Sequence, residues 1–113
     1  MELYYHGTDE DVLILSADGG IDSASAEDLV RELATLVDAG ARKLIVDCSR
    51  IRYISSYGIA VLVRLHKKLA DRGGDVKLAA LESGVVRVIE LLGLERVFAL
   101  YPNVDAARAA FRE

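Results

Sequence analysis

Two adjacent serines, Ser55 and Ser56, stand at the junction between a strand-like segment and a long amphipathic segment, within Asp47-Cys48-Ser49-Arg50-Ile51-Arg52-Tyr53-Ile54-Ser55-Ser56-Tyr57-Gly58-Ile59. An apolar run ends at Asp47, a short polar loop follows, and a helix is expected to begin near Ser56. That placement sets a hydroxyl at the positive end of a helix dipole. Amides of a first helical turn have no intrahelical acceptor, so a phosphate on Ser56 could take bonds from them. An unmodified serine there is only a neutral cap. The two states differ by about −1.5 to −2 charges at neutral pH, enough to turn a recognition surface off. Ser-Ser before an apolar-periodic helix is also ordinary N-cap chemistry, and the local pattern alone fits that equally. Gly58 adds a second signal, since glycine inside a helix costs about 1 kcal/mol relative to alanine. Close approach of another chain or a ligand, or tight packing against a strand, would account for it.

Other chemistries find less support. A serine hydrolase needs a base within hydrogen-bond reach of its nucleophile. His66 lies ten residues along the same helix, about 15 Å away at about 1.5 Å per residue, and His6 falls on an edge strand. No Gly-x-Ser-x-Gly elbow is present. Two histidines and one cysteine without ligand spacing do not make a zinc site. Asp18-Gly19-Gly20 lacks the spacing of a phosphate-cradling loop and reads as a turn. Asp22 and Asp47 read as loop polarity, and His66 as a satisfied core histidine. No enzyme activity, cofactor or metal is expected. Cys48, without a partner cysteine, reads as a buried strand-end thiol in a reducing compartment.

The 18 acidic and 14 basic residues give a formal net charge of −4, which argues against nucleic acid as a partner. The densest basic group, Arg64-Leu65-His66-Lys67-Lys68 with Arg72, reads first as a solvated helix face and second as a partner-facing patch. No apolar stretch reaches membrane-spanning length. Met1-Glu2-Leu3-Tyr4-Tyr5 has neither the basic region nor the apolar core of a secretory leader. A cytoplasmic protein that avoids membranes is expected, folded as one domain over residues 1–113.

The elements that must hold the serines follow from periodicity. Leu3–His6 and Val12–Ala17 read as an antiparallel pair joined by the turn Gly7-Thr8-Asp9-Glu10-Asp11. Ser25, three residues before Asp28, suggests the start of a helix. Ala26, Leu29, Val30, Leu33 and Val37 give that helix its apolar face, and Gly40 ends it. Leu44-Ile45-Val46 reads as a central strand covered on both faces. A helix from Ser56 to Leu69 buries Ile59, Leu62, Val63, His66 and Leu69. Val76–Leu81 is another strand, Ser83–Leu92 a helix capped by Ser83, Val97–Leu100 a short strand, and the segment from Pro102-Asn103 to Phe111 a last helix. The order β-β-α-β-α-β-α-β-α implies an α/β fold with a small, mostly parallel sheet and an N-terminal hairpin. Lys77, between Val76 and Leu78, suggests that about four helices lie mainly on one face, with the other partly open.

Leu44-Ile45-Val46-Asp47 followed by Tyr53-Ile54-Ser55-Ser56-Tyr57-Gly58-Ile59-Ala60-Val61-Leu62 resembles the signature of the STAS domain, and within it the bacterial anti-sigma factor antagonists. Gly20-Ile21-Asp22, Gly73-Gly74 before Val76-Lys77-Leu78, and Leu91-Leu92-Gly93-Leu94 with Val97-Phe98 match further landmarks in order and spacing. The resemblance spans nearly the whole chain. It implies that Ser56 is the phosphoacceptor, with Ser55 as second choice. It also implies partner switching. The unphosphorylated protein binds a serine-kinase anti-sigma factor, the kinase modifies it with its own ATP, and a PP2C-type phosphatase restores it. Asp22, Ser23, Ser55, Ser56, Tyr57 and Gly58 would form the contact surface, with Arg64 and Lys68 near its rim. Two positions depart from the family. Ser55 replaces the usual Asp, and Tyr57 replaces a small residue. Tyr57 could anchor a partner, restrict which kinase fits, or be a half-buried ring. The resemblance also leaves a second role open, an unphosphorylated adaptor subunit of a transporter ATPase or other signalling complex.

Overall fold

The computed structural model describes residues 2–7, as backbone, and residues 11–112. Among these, five strands lie side by side in chain order: β1 (Glu2–Gly7), β2 (Val12–Ile21), β3 (Lys43–Ile54), β4 (Asp75–Ala79) and β5 (Ala99–Tyr101). β2 to β5 form an all-parallel sheet, with Leu44 opposite Leu13 and Val76, and Leu78 opposite Leu100. β1 runs antiparallel to β2, from Glu2 opposite Asp18 to Gly7 opposite Leu13. Thr8, Asp9 and Glu10 of the expected turn lie outside the described residues. Four helices connect and flank the strands: α1 (Ser23–Asp38), α2 (Ser56–Asp71), α3 (Ser83–Leu91) and α4 (Val104–Phe111).

Period-two alternation sorts the strand residues between two cores. Leu15, Leu44, Val46 and Leu78 face the larger one, where Leu29 and Leu33 of α1, Leu62 and Leu69 of α2, and Ile89 of α3 close over them. Ile14, Ile45 and Ala79 face the smaller one, covered by Ala107, Val104 and Phe111 of α4. Leu44, Ile45 and Val46 are all buried, as their unbroken apolar run requires. Lys77 departs from its expected place on an open face. Its ammonium is 3.0 Å from Asp75 Oδ2 and lies over the rings of Phe111 and Tyr101, 4.6 and 5.4 Å from their centroids. Burial opposes the Lys77 charge, yet the hydrogen bond and charge of Asp75, with Tyr101, outweigh it and hold its pKa above the ordinary value.

Several boundaries differ from the sequence expectation. Asp18-Gly19-Gly20 is the end of β2, and Cys48–Ile54 is the outer half of β3. Pairing between these strands continues across irregularities at Ser16/Asp18 and Gly19/Ile21. Ser49, Arg50 and Arg52 look loop-like only because they face solvent. β4 stops at Ala79, and Ala80 follows with a left-handed φ of 59°. A 3-10 turn, Leu94–Arg96, precedes β5, which begins at Ala99, while Phe98 is buried in the larger core. α3 is preceded by Glu82 rather than capped by Ser83, and Glu82 makes no side-chain cap bond.

Candidate functional site

Parallel strands that each feed a helix deliver those helix N-termini to the same end of the sheet. β2 and β3 do this with Ile21 opposite Ile54. The Ser55 amide donates to the Ile21 carbonyl at 2.7 Å, so the last bond of the strand pair joins the starts of α1 and α2.

The start of α1 carries a reciprocal capping box. Asp22, not Ser25, is the N-cap, which places the helix start three residues earlier than expected. The Ser25 amide donates to Asp22 Oδ1 at 2.9 Å, and the Asp22 amide donates back to Ser25 Oγ at 3.0 Å. The Ser25 hydroxyl also lies within bonding distance of Asp22 Oδ1 and the Gly20 carbonyl, at 2.8 and 3.0 Å. Asp-x-x-Ser and Ser-x-x-Asp use the same pair of groups, and only the backbone decides which comes first. The Ser25 amide, then the Ser25 hydroxyl, hold the Asp22 carboxyl below the usual carboxylate range.

The start of α2 carries a single side-chain cap. Ser55, not Ser56, is the cap, and its Oγ accepts from the Gly58 amide at 3.0 Å. Ser56 is the first helical residue, its side chain is exposed, and no hydrogen bond holds its Oγ among the described residues. With the Ser55 and Gly58 amides engaged, those of Ser56 and Tyr57 remain as the first-turn donors without an intrahelical acceptor. The free hydroxyl therefore sits beside uncommitted amides.

Gly58 brings the helix this close to the strands. A β-carbon there would stand 2.7 Å from Ile21 Cγ2 and 2.9 Å from Ile54 Cγ2. Of the two reasons offered by the sequence, packing against strand ends is the one observed. Tyr57 is half-buried; its hydroxyl donates to the Glu27 carboxylate of α1, and Arg64 lies 5.9 Å from its ring centroid. Ser23 is exposed at the first position of α1. The structure thus gathers Asp22, Ser23, Ser55, Ser56, Tyr57 and Gly58 at one end of the sheet, with Arg64 reaching back over Tyr57. It does not bring Lys68 there. Twelve residues beyond Ser56, Lys68 is about 18 Å along the helix and pairs with Asp38 at 3.7 Å.

Sequence reasoning missed Glu27, whose carboxylate fixes Tyr57 from another helix. It also missed Tyr53, which is 51% exposed three residues before Ser56 and whose ring packs where Gly20 has no side chain. The bareness of Gly20 beside Ile21-Asp22 was the available signal. Elsewhere, Cys48 is buried, and burial first and the charge of Asp47 second push its thiol up to about 12. Asp47 accepts from the Ser49 amide at 3.0 Å and lies 3.4 Å from the Ser16 hydroxyl. His66 Nε2 is 3.3 Å from Asp75, and its ring meets Phe98 edge-on. Among the described residues, no group of three or more His, Cys, Asp or Glu is arranged to hold a metal ion. No described helix is long and apolar enough to cross a membrane.

The sequence pattern of the STAS domain matches residues 7–107. A Bordetella bronchiseptica protein named as an anti-sigma factor antagonist, BtrV, is 38% identical over 89% of this chain and 87% of its own length. The fold is shared with a Thermotoga maritima protein described as an anti-sigma factor antagonist, with a TM-score of 0.93 and 24% identity, covering 98% of this chain and 95% of that one. An anti-sigma factor antagonist from Mycobacterium paratuberculosis superposes with a TM-score of 0.88 and 26% identity, covering 99% and 94% of the two chains.

Proposed function

The chain belongs to the STAS domain family and, within it, to the anti-sigma factor antagonists, and from that premise we propose that it works by partner switching through Ser56. Members of this family are regulators without catalytic activity of their own. The carrying observation is the division of labour between the two serines: Ser55 takes the cap, and Ser56 keeps an exposed, unbonded hydroxyl.

In the unphosphorylated state, the surface around Asp22, Ser23 and Ser55 to Gly58 docks an ATP-binding serine-kinase anti-sigma factor. Arg64 lies nearby, over the Tyr57 ring. Docking occupies the kinase and frees its other client. The Ser56 hydroxyl oxygen then attacks the γ-phosphorus of the partner's ATP. The bond from that phosphorus to the bridging oxygen breaks, ADP leaves, and the hydroxyl proton passes to a base of the partner. The new phosphate can accept from the Ser56 and Tyr57 amides, and the helix dipole favours its charge. It also places about −1.5 to −2 charges on a surface that already carries Asp22 and Glu27, and the docked complex separates. A PP2C-type phosphatase hydrolyses the ester and restores the serine. The setting is the cytoplasm.

The experiment is incubation with a purified cognate kinase and ATP, followed by intact-protein mass measurement. One phosphate is expected in the wild type and in Ser55→Ala, and none in Ser56→Ala. Equal modification of Ser56→Ala would overturn the site. No modification by any cognate kinase, with partner binding unchanged in Ser56→Asp, would favour the unphosphorylated adaptor role.

A further inference from the structure

Among the described residues, the exposed large apolar side chains are Tyr53, Val88, Leu91 and Leu92, at 51, 42, 79 and 56% exposure. Val88, Leu91 and Leu92 follow helical i, i+3, i+4 spacing, so they form one stripe along the outer side of α3 and its C-cap. Tyr53 and Val88 line a common groove of ≈180 Å³ with Ile54, Ile59 and Val85, bordered also by the charged Arg52 and Glu82. The volume has room for one large apolar side chain. Two of these residues, Ile54 and Ile59, flank Ser56 in sequence, and Ile59 belongs to the first turns of α2. The groove and the free hydroxyl are therefore on adjoining ground.

We infer that this groove and stripe are a constant apolar anchor for the same partner that reads Ser56, which inserts one large apolar side chain between Tyr53 and Val88 and covers Leu91 and Leu92. The inference rests on the proposed switch. Continuity with the start of α2 selects this occupant over a second copy of the chain. Four partly exposed side chains supply on the order of a few hundred Å², while a stable interface covers about 800 Å² on each partner. The stripe alone falls short of that. The groove carries the stripe on to the start of α2, where Ile59 lies one helical turn beyond Ser56, so the partner that reads the Ser56 hydroxyl is placed to cover both. Affinity and switching are then separable: the apolar anchor is the same in both states of Ser56, and the charge at Ser56 alone changes.

The test is a titration of the ADP-loaded kinase with wild type, Leu91→Glu/Leu92→Glu, Tyr53→Ala and Ser56→Asp, with thermal unfolding of each variant as the folding control. The exposure of Leu91 and Leu92 makes an unchanged melting temperature the expectation for the double variant. Both stripe variants should raise Kd at least tenfold, and Ser56→Asp should do so independently. Stripe variants within twofold of wild type, with Ser56→Asp impaired, would overturn the anchor and leave the switch standing. Impaired stripe variants with unimpaired Ser56→Asp would overturn the switch and leave the anchor. Sedimentation supplies a further arm: a wild-type dimer that becomes monomeric in Leu91→Glu/Leu92→Glu would assign the stripe to a second copy and overturn the inference.

Discussion

α1 and α2 begin side by side at one end of the sheet, yet their caps are built differently. At α1, Asp22 and Ser25 satisfy each other and the Gly20 carbonyl, so side chain and backbone are mutually engaged. At α2, a single bond from the Gly58 amide to Ser55 does the capping, and the next hydroxyl is left over. The difference shows how a fold can separate holding from reacting. At α1 the capping groups themselves cannot be modified without loosening the helix, and the exposed Ser23 lies outside the box. An incomplete cap with a second serine leaves Ser56 open to chemistry while Ser55 keeps the helix start in place.

The largest effect is expected at the contact that sets α2 against the strand ends. Gly58→Val should destabilise the protein by about 3 kcal/mol, the upper end of overpacking costs, because Ile21 and Ile54 close in from both sides. Urea unfolding would measure it, and a loss below about 1 kcal/mol would mean that the strand ends yield easily. Truncating the caps tests the asymmetry directly. Ser25→Ala strands the Asp22 amide and the Gly20 carbonyl, for an expected loss of about 2 kcal/mol. Ser55→Ala removes a simple cap, for about 1 kcal/mol. Equal losses would remove the distinction between a reciprocal and a single cap.

Proton linkage sharpens the same contrast. The Asp22 carboxyl titrates below its unfolded value, so its contribution is complete above about pH 3.9 and is lost as pH falls through its folded pKa. Asp22→Asn should flatten the acid limb of a stability-versus-pH curve, measured by thermal unfolding. An unchanged acid limb would show that the box does not depend on the charge. The smallest effect belongs to the residue with the largest proposed role. Ser56→Ala should shift unfolding stability by less than about 0.5 kcal/mol, since its hydroxyl holds nothing in place. A loss like that of Ser55→Ala would assign capping to Ser56 after all.

Much of this arrangement was legible in the residues. The apolar spacing of Leu29, Leu33 and Val37, and of Ile59, Leu62 and Leu69, marked the buried faces of α1 and α2, and the β-α alternation marked a parallel sheet. The division between Ser55 and Ser56 was not legible, because a shift of one residue exchanges cap and first helical position without altering the pattern. The outer halves of β2 and β3 were hidden for a different reason. Past the last strand pair shared with β4, Ser49, Arg50 and Arg52 face water, and paired backbone leaves no apolar trace there. Lys68 was misjudged because its partner, Asp38, is set by how α1 and α2 pack, which spacing along one helix does not report.

Cys48 gives this molecule a built-in reporter. It is the sole thiol in the sequence, and its burial and high pKa keep it protonated and out of reach while the sheet is intact. An alkylating reagent can therefore label it only in molecules whose central strand has opened, and the labelling rate measures how often that happens. Applied to serine and phosphoserine forms in turn, the same unmutated side chain would show whether charge at the helix start travels into the sheet or stays at the surface.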